Sequence, residues 1–91
     1  MLTAIAEKIN RSKKNYHCEI SGCGFRIEGI IFKTLLETND HNWVLDGVEY
    51  LFEPIEVVLK ESEINNVDLS NKEYFCRIEI NGGVFININT I

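Results

Sequence analysis

The side chains best suited to chemistry in this chain are His17, Cys18, Cys23, His41 and Cys76. Cys18-x4-Cys23, completed by Cys76 and either histidine, could supply the four ligands of a tetrahedral zinc site. Structural zinc usually takes close cysteine pairs in duplicate, whereas here one loose pair is joined by one distant cysteine. A thiolate nucleophile needs a base held beside it and a third group to orient that base. Cys23 sits between Gly22 and Gly24, and the sequence around it supplies no such partner. The glycines do not make a phosphate cradle either, since no G-x-G-x-x-G or Walker pattern leads from a strand into a helix. The expectation is therefore a chain with no catalytic residue, no metal and no cofactor. In that reading Cys18 and Cys76 are small core hydrophobes and Cys23 is a turn residue.

The elements that would position these residues begin with an apolar stripe. Leu2, Ile5, Ala6 and Ile9 recur at helical spacing, which predicts a helix from Leu2 to about Ser12, capped at its start by Thr3 or the terminus. Arg11, Lys13 and Lys14 place positive charge at its C-terminal end, where the helix dipole favours it.

The clearest signal lies at the other end of the chain. With Asn81-Gly82-Gly83 as a three-residue loop, Ile80 faces Val84, Ile78 faces Ile86 and Cys76 faces Ile88. A two-residue loop would mix apolar and polar faces. The opposite face then carries Phe75, Arg77, Glu79, Phe85, Asn87 and Asn89.

Two further hairpins are predicted between these ends. A Gly22-Cys23 type II′ turn pairs Ile20 with Phe25 and Cys18 with Ile27, and sets Glu19 against Arg26 and His17 against Glu28. Gly29, with no side chain to oppose Tyr16, marks a bulge or makes room for the ring. Ile30 to Leu36 loses strict alternation, as a strand buried on both sides or bent around a small barrel would. After a loop at residues 38–42, an Asp46-Gly47 type I′ turn pairs Leu45 with Val48 and Trp43 with Tyr50. Glu53-Pro54 interrupts the next strand, which resumes from Ile55 to Leu59 at a sheet edge. Lys60 to Lys72 reads as a loop or a short helical turn anchored by Ile64, Val67 and Leu69. The predicted architecture is α+β: one domain over residues 1–91, with an N-terminal helix packed on a small, strongly bent antiparallel sheet or half-open barrel of six to seven strands.

Charge is distributed unevenly along the 91 residues. Residues 1–36 hold six Lys and Arg against three Glu, and residues 37–91 hold three against eleven acids, within a net charge of −5. Direct nucleic-acid binding is not expected, because affinity there comes mainly from neutralising phosphates. An acidic surface steers towards basic partners instead. With 45% hydrophobic and 25% charged residues the chain is built to fold. Its cysteine usage, its start without a basic n-region, and the absence of any membrane-length apolar run lead to an expected cytoplasmic protein with no membrane association.

These observations lead to a small acidic protein-binding module, with Glu49, Glu53, Glu56, Glu61, Glu63 and Asp68 as the docking face for a basic protein. By analogy of size and charge alone, it would regulate or inhibit a nucleic-acid-handling partner, as small viral and mobile-element inhibitors do. The uncharged last strand, through Val84, Phe85 and Ile86, either sits inside the sheet or adds to a second copy, which makes a homodimer the expected oligomer. The alternative is a small-molecule site in the bent sheet or between subunits near Tyr16, Arg26, Trp43 and Tyr50. A third reading is a structural assembly subunit.

Overall fold

The computed structural model describes residues 2–48, 53–70 and 73–91. Helix α1 (Thr3–Ser12) is followed by β1 (Tyr16–Gly22), β2 (Phe25–Glu37), β3 (Asn42–Val48) and β4 (Pro54–Lys60). A 3₁₀ turn (Glu61–Glu63) leads to β5 (Ile64–Asp68), β6 (Cys76–Ile80) and β7 (Val84–Thr90). The strands form one antiparallel sheet in the order β4-β3-β2-β1-β7-β6-β5.

The amphipathic stripe does what its spacing requires: Leu2, Ile5, Ala6 and Ile9 are buried against the sheet. Thr3 makes no capping bond; Leu2 holds the N-cap position and its carbonyl accepts from the Ala6 amide at 2.8 Å. At the other end Lys13 closes the helix in the left-handed region, with φ 56°. The Ser12 hydroxyl donates to the Ile9 carbonyl at 2.9 Å and accepts from the Tyr16 hydroxyl at 2.9 Å, joining the helix end to β1. Asn10 makes the longer-range tie. Its amide donates to the Leu35 carbonyl at 2.9 Å, and its oxygen accepts from the Leu35 amide at 2.8 Å. Strand β2 runs past the end of β1 beyond Phe32, so Asn10 covers backbone that no strand covers on that side.

The sheet is curled rather than flat. Its two edge strands, β4 and β5, are joined by only three residues, and the four chain steps from Lys60 to Ile64 can span at most ~14 Å. The sheet is nonetheless open, because β4 and β5 do not pair. The 3₁₀ turn holds the two halves together at one end. Trp43 Nε1 of β3 donates to Glu61 Oε2 at 2.6 Å, and the Asn81 amide in the β6–β7 loop donates to the Glu63 carbonyl at 3.0 Å.

The β6–β7 hairpin has the predicted register, with Ile80, Ile78 and Cys76 opposite Val84, Ile86 and Ile88. Gly82 and Gly83 take φ of 87° and 75°, which is why this loop needs glycine. Strand β7 is interior, its edges taken by β1 and β6, so Val84, Phe85 and Ile86 offer no free edge for strand addition. Its lack of charge suits that position. The free edges belong to β4, which starts at Pro54 and carries Glu56 and Lys60, and to the short, bulged β5; both carry ordinary protection against unwanted pairing.

Three predictions made from local pairing are corrected. The β1–β2 turn is Cys23-Gly24 and not Gly22-Cys23, with Gly22 opposite Phe25 and Gly24 at φ 87°. That turn sets Ile20 against Ile27, and a bulge then sets Glu28 and Gly29 against Glu19, so Cys18 meets Ile30 and Tyr16 meets Phe32. Unbroken alternation misses this register because one extra residue reverses the facing of everything after it.

Asp46-Gly47 is not a turn. It lies within β3, with Asp46 between Thr34 and Glu56 and Gly47 between Phe32 and Ile55. Glycine is required here for space. A Cβ at Gly47 would lie 2.9 Å from Ile30 Cγ2 and 2.9 Å from the Ile31 carbonyl oxygen. Gly47→Asn, which a type I′ turn would accept, is therefore expected to destabilise by about 1–3 kcal/mol in urea unfolding. Full stability would restore the turn. Trp43 pairs with Glu37 and Leu59, and its predicted partner Tyr50 lies outside the described residues.

Residues 64–68, expected in a loop or helical turn, are strand β5. A bulge at Asn65 spaces the inward Ile64 and Val67 three apart, which hides the two-residue alternation. Leu69 is exposed and anchors nothing.

Candidate functional site

Because the helix and the apolar alternation occupy one face of the sheet, functional polar groups collect on the other. Phe75 leaves that outer face: its ring lies 5.4 Å from the ring of buried Tyr16, in the core. Phe85 stays on it, covered by the Arg77 guanidinium 4.0 Å from its ring centroid.

The described members of the proposed acidic docking face are spread over the start and middle of β4, the 3₁₀ turn and the end of β5. Glu53 and Glu56 lie at and on edge strand β4. Glu61 accepts the Trp43 indole hydrogen bond, and the Glu63 carbonyl is bonded to Asn81. Asp68, at the end of β5, accepts from the Ser70 hydroxyl at 2.7 Å and the Ser70 amide at 2.9 Å. The Ser70 hydroxyl, then its amide, holds the Asp68 carboxyl below its ordinary range, with Arg77 adding to the effect. Glu49 lies outside the described residues.

Pairing of the strands does assemble a different group, which the sequence reading missed. On the outer face of β2–β4, Leu36, Val44 and Val58 form one cross-strand row, and Leu36 and Val58 are 51% and 52% exposed. The next row is Thr34, Asp46 and Glu56, and the one after it is Ile31, Val48 and Pro54. Asp46 and Glu56, both exposed, are thus direct cross-strand neighbours between two apolar rows. A largely apolar hollow of about 310 Å³ beside them is lined by Ile31, Lys33, Thr34, Asp46 and Val48 among others. The signal in the sequence was hidden by reading Asp46-Gly47 as a turn, which took Asp46 off the sheet.

A second group spans the other half of the outer face. Glu19, Asn87, Arg77 and Asp68 are successive partners across β1, β7, β6 and β5. Arg26 ties Glu19 and Glu28 together, its Nη2 lying 3.0 Å from Glu19 Oε2 and its Nε 2.7 Å from Glu28 Oε1. The Glu19–Arg26 pairing expected from sequence is therefore made, though diagonally, since Ser21 directly opposes Arg26. His17 opposes Ile31 rather than Glu28.

Of the alternative ligand residues, Tyr50 lies outside the described residues, and the three described ones do not present their polar groups to one place. Tyr16 and Trp43 are buried with their polar atoms bonded to Ser12 and Glu61. Arg26 is exposed on the outer face near the β1–β2 turn.

Among the described residues, no three His, Cys, Asp or Glu side chains gather as a metal-ligand set. Cys18 and Cys76 flank Ile88 in the core, and Cys23 is exposed. Burial, reinforced by Glu19, pushes the Cys18 thiol up to about 12; burial, reinforced by Asp68, pushes Cys76 up to about 11. Both thiols ionise more readily once unfolded, so their contribution to stability is complete below pH 9 and is lost as pH rises towards 11–12. Cys18→Ala with Cys76→Ala should flatten the alkaline decline in unfolding free energy measured between pH 8.5 and 11. An unchanged slope would remove the thiols as its cause.

Among the described residues no helix is long and apolar enough to cross a membrane. No protein-family model, curated protein or solved structure matches the chain.

Proposed function

We propose that this chain is a non-enzymatic protein-binding module whose outer β2–β4 face takes a basic partner. The observation that supports this is the exposed, directly opposed pair Asp46 and Glu56. Like charges facing each other across strands are unfavourable by roughly 0.2–1 kcal/mol, and a cation placed between them reverses the sign. The rows on either side, Leu36–Val44–Val58 and Ile31–Val48, offer apolar area to the aliphatic stem of a lysine or arginine. Nucleic acid would be repelled by the same carboxylates. Such a module acts by occupying the basic surface of its partner, and a partner that handles nucleic acid would be regulated or inhibited by it.

The test is capture of basic proteins on the immobilised chain, followed by titration of the captured partner. The double reversal Asp46→Lys with Glu56→Lys should weaken binding at least about a hundredfold while leaving the unfolding midpoint nearly unchanged, since one opposed like-charge pair replaces another. Binding that is indifferent to the reversal and to salt would overturn the proposal.

A further inference from the structure

The outer face of β2–β4 carries a cation of its own. Lys60, exposed at the end of β4, pairs across the strands with Asn42, one row beyond Leu36, Val44 and Val58. On the other side of that apolar row stand Thr34, Asp46 and Glu56. Glu56 and Lys60 are separated along β4 by about 13 Å of extended chain with Val58 between them, too far to pair within one molecule. Opposite charges therefore lie at equal distances on either side of a row of aliphatic side chains, of which Leu36 and Val58 are exposed.

That pattern is self-complementary. A second copy can be laid face to face, with a two-fold axis running across the strands along the Leu36–Val44–Val58 row. The row then stacks on itself. Because the rotation reverses strand direction, Lys60 of each copy lies over Glu56 of the other, and Asn42 lies over Asp46. Charge rejects the competing arrangements. A two-fold axis parallel to the strands keeps every row in place and sets Asp46 on Asp46, and an axis along the Asp46–Glu56 row sets acid on acid again.

We infer that the β2–β4 face docks a second copy of this chain in that two-fold arrangement, through Leu36, Val44 and Val58 and a reciprocal pair of Glu56–Lys60 ion pairs. Stacked sheets lie about 10 Å apart, a gap that a glutamate and a lysine bridge together. The seven residues of β3 and the strands beside it cover about 23 Å by 14 Å, on the order of 300 Å² per copy. An interface of that size is at the weak end of specific association, so the dimer is reversible. It needs no basic partner to form, and it competes with one for Glu56.

Sedimentation equilibrium of the full chain, from micromolar to millimolar concentration, is the test. The wild-type chain is expected to pass from monomer to dimer as concentration rises. Lys60→Glu and Glu56→Lys each bring like charges together, so each variant alone should dimerise at least about tenfold more weakly. Mixed in equal amounts, the two variants match both pairs again, because the glutamates of one copy face the lysines of the other. Dimer should return at wild-type strength or better. Both positions are exposed, and unfolding midpoints of the variants verify the fold. A wild-type monomer at millimolar concentration would overturn the inference, as would a dimer indifferent to either substitution, no recovery on mixing, or growth beyond the dimer. Capture of a basic protein is read separately on dilute monomer, so failure of the dimer and failure of the partner contact are told apart.

Discussion

Ile78→Ala is expected to destabilise the protein by about 2–5 kcal/mol, which is on the order of 10–30 °C in unfolding midpoint for a domain of this size. Ile78 is fully buried at the centre of β6. It stands in a row that crosses four strands, with Ile86 and then Ile20 on one side and Val67 on the other. Truncation removes about three methyl-sized groups from a site whose neighbours are held by ladder hydrogen bonds on both sides, so collapse into the void is restricted. A domain of this length has only about 5–14 kcal/mol to lose. Val58→Ala is the matched control. Its side chain is exposed on the outer face, and a change within about 0.5 kcal/mol is expected. A small effect at Ile78 comparable with that at Val58 would mean that the row is not packed as described.

Asn10→Ala should cost about 2–4 kcal/mol, a large effect for a partly exposed polar residue. The loss has two parts, because both the amide and the carbonyl of Leu35 lose their partner on the side where β1 has ended. Asn10→Asp separates them. A carboxylate still accepts from the Leu35 amide but cannot donate to its carbonyl, so about half the loss should remain. Denaturant midpoints at neutral pH read both variants. If Asn10→Ala changes stability by less than about 0.5 kcal/mol, the helix is held by its apolar stripe alone.

That contrast shows what kind of information is local. The helix was legible because Leu2, Ile5, Ala6 and Ile9 repeat with a period that only one secondary structure has. The β6–β7 register was legible because a single loop length makes every inward pair apolar, and the structure shows those pairs. Asn10 looked like an ordinary helix-end residue, since its partner lies 25 positions away.

The errors have a common origin. The β1–β2 register failed at a turn placed one residue too early and again at a bulge, and β5 was hidden by another bulge. Bulges arise where two strands of unequal curvature must stay paired, which depends on how the whole sheet curls and not on the residues at the bulge alone. Asp46-Gly47 carried a strong turn signal, yet the chain runs straight through it. Pairing on both edges of β3, and the close approach of Ile30 and the Ile31 backbone, outweigh a local preference of a few tenths of a kcal/mol to about 1 kcal/mol.

The sequence by itself determined the class of the protein: one helix with a single apolar stripe, hairpin-built antiparallel strands, an excess of acids after residue 36, and two cysteines turned inward. Periodicity and charge are properties of neighbours along the chain, so they need no fold to be read. Only the tertiary structure decided which strands lie at the edges, that β7 is interior, that Asp46 meets Glu56, and that Leu36, Val44 and Val58 form one row. The candidate face is made of residues from different strands. What brings them together is strand order, which is set by the closing of the sheet around one shared core.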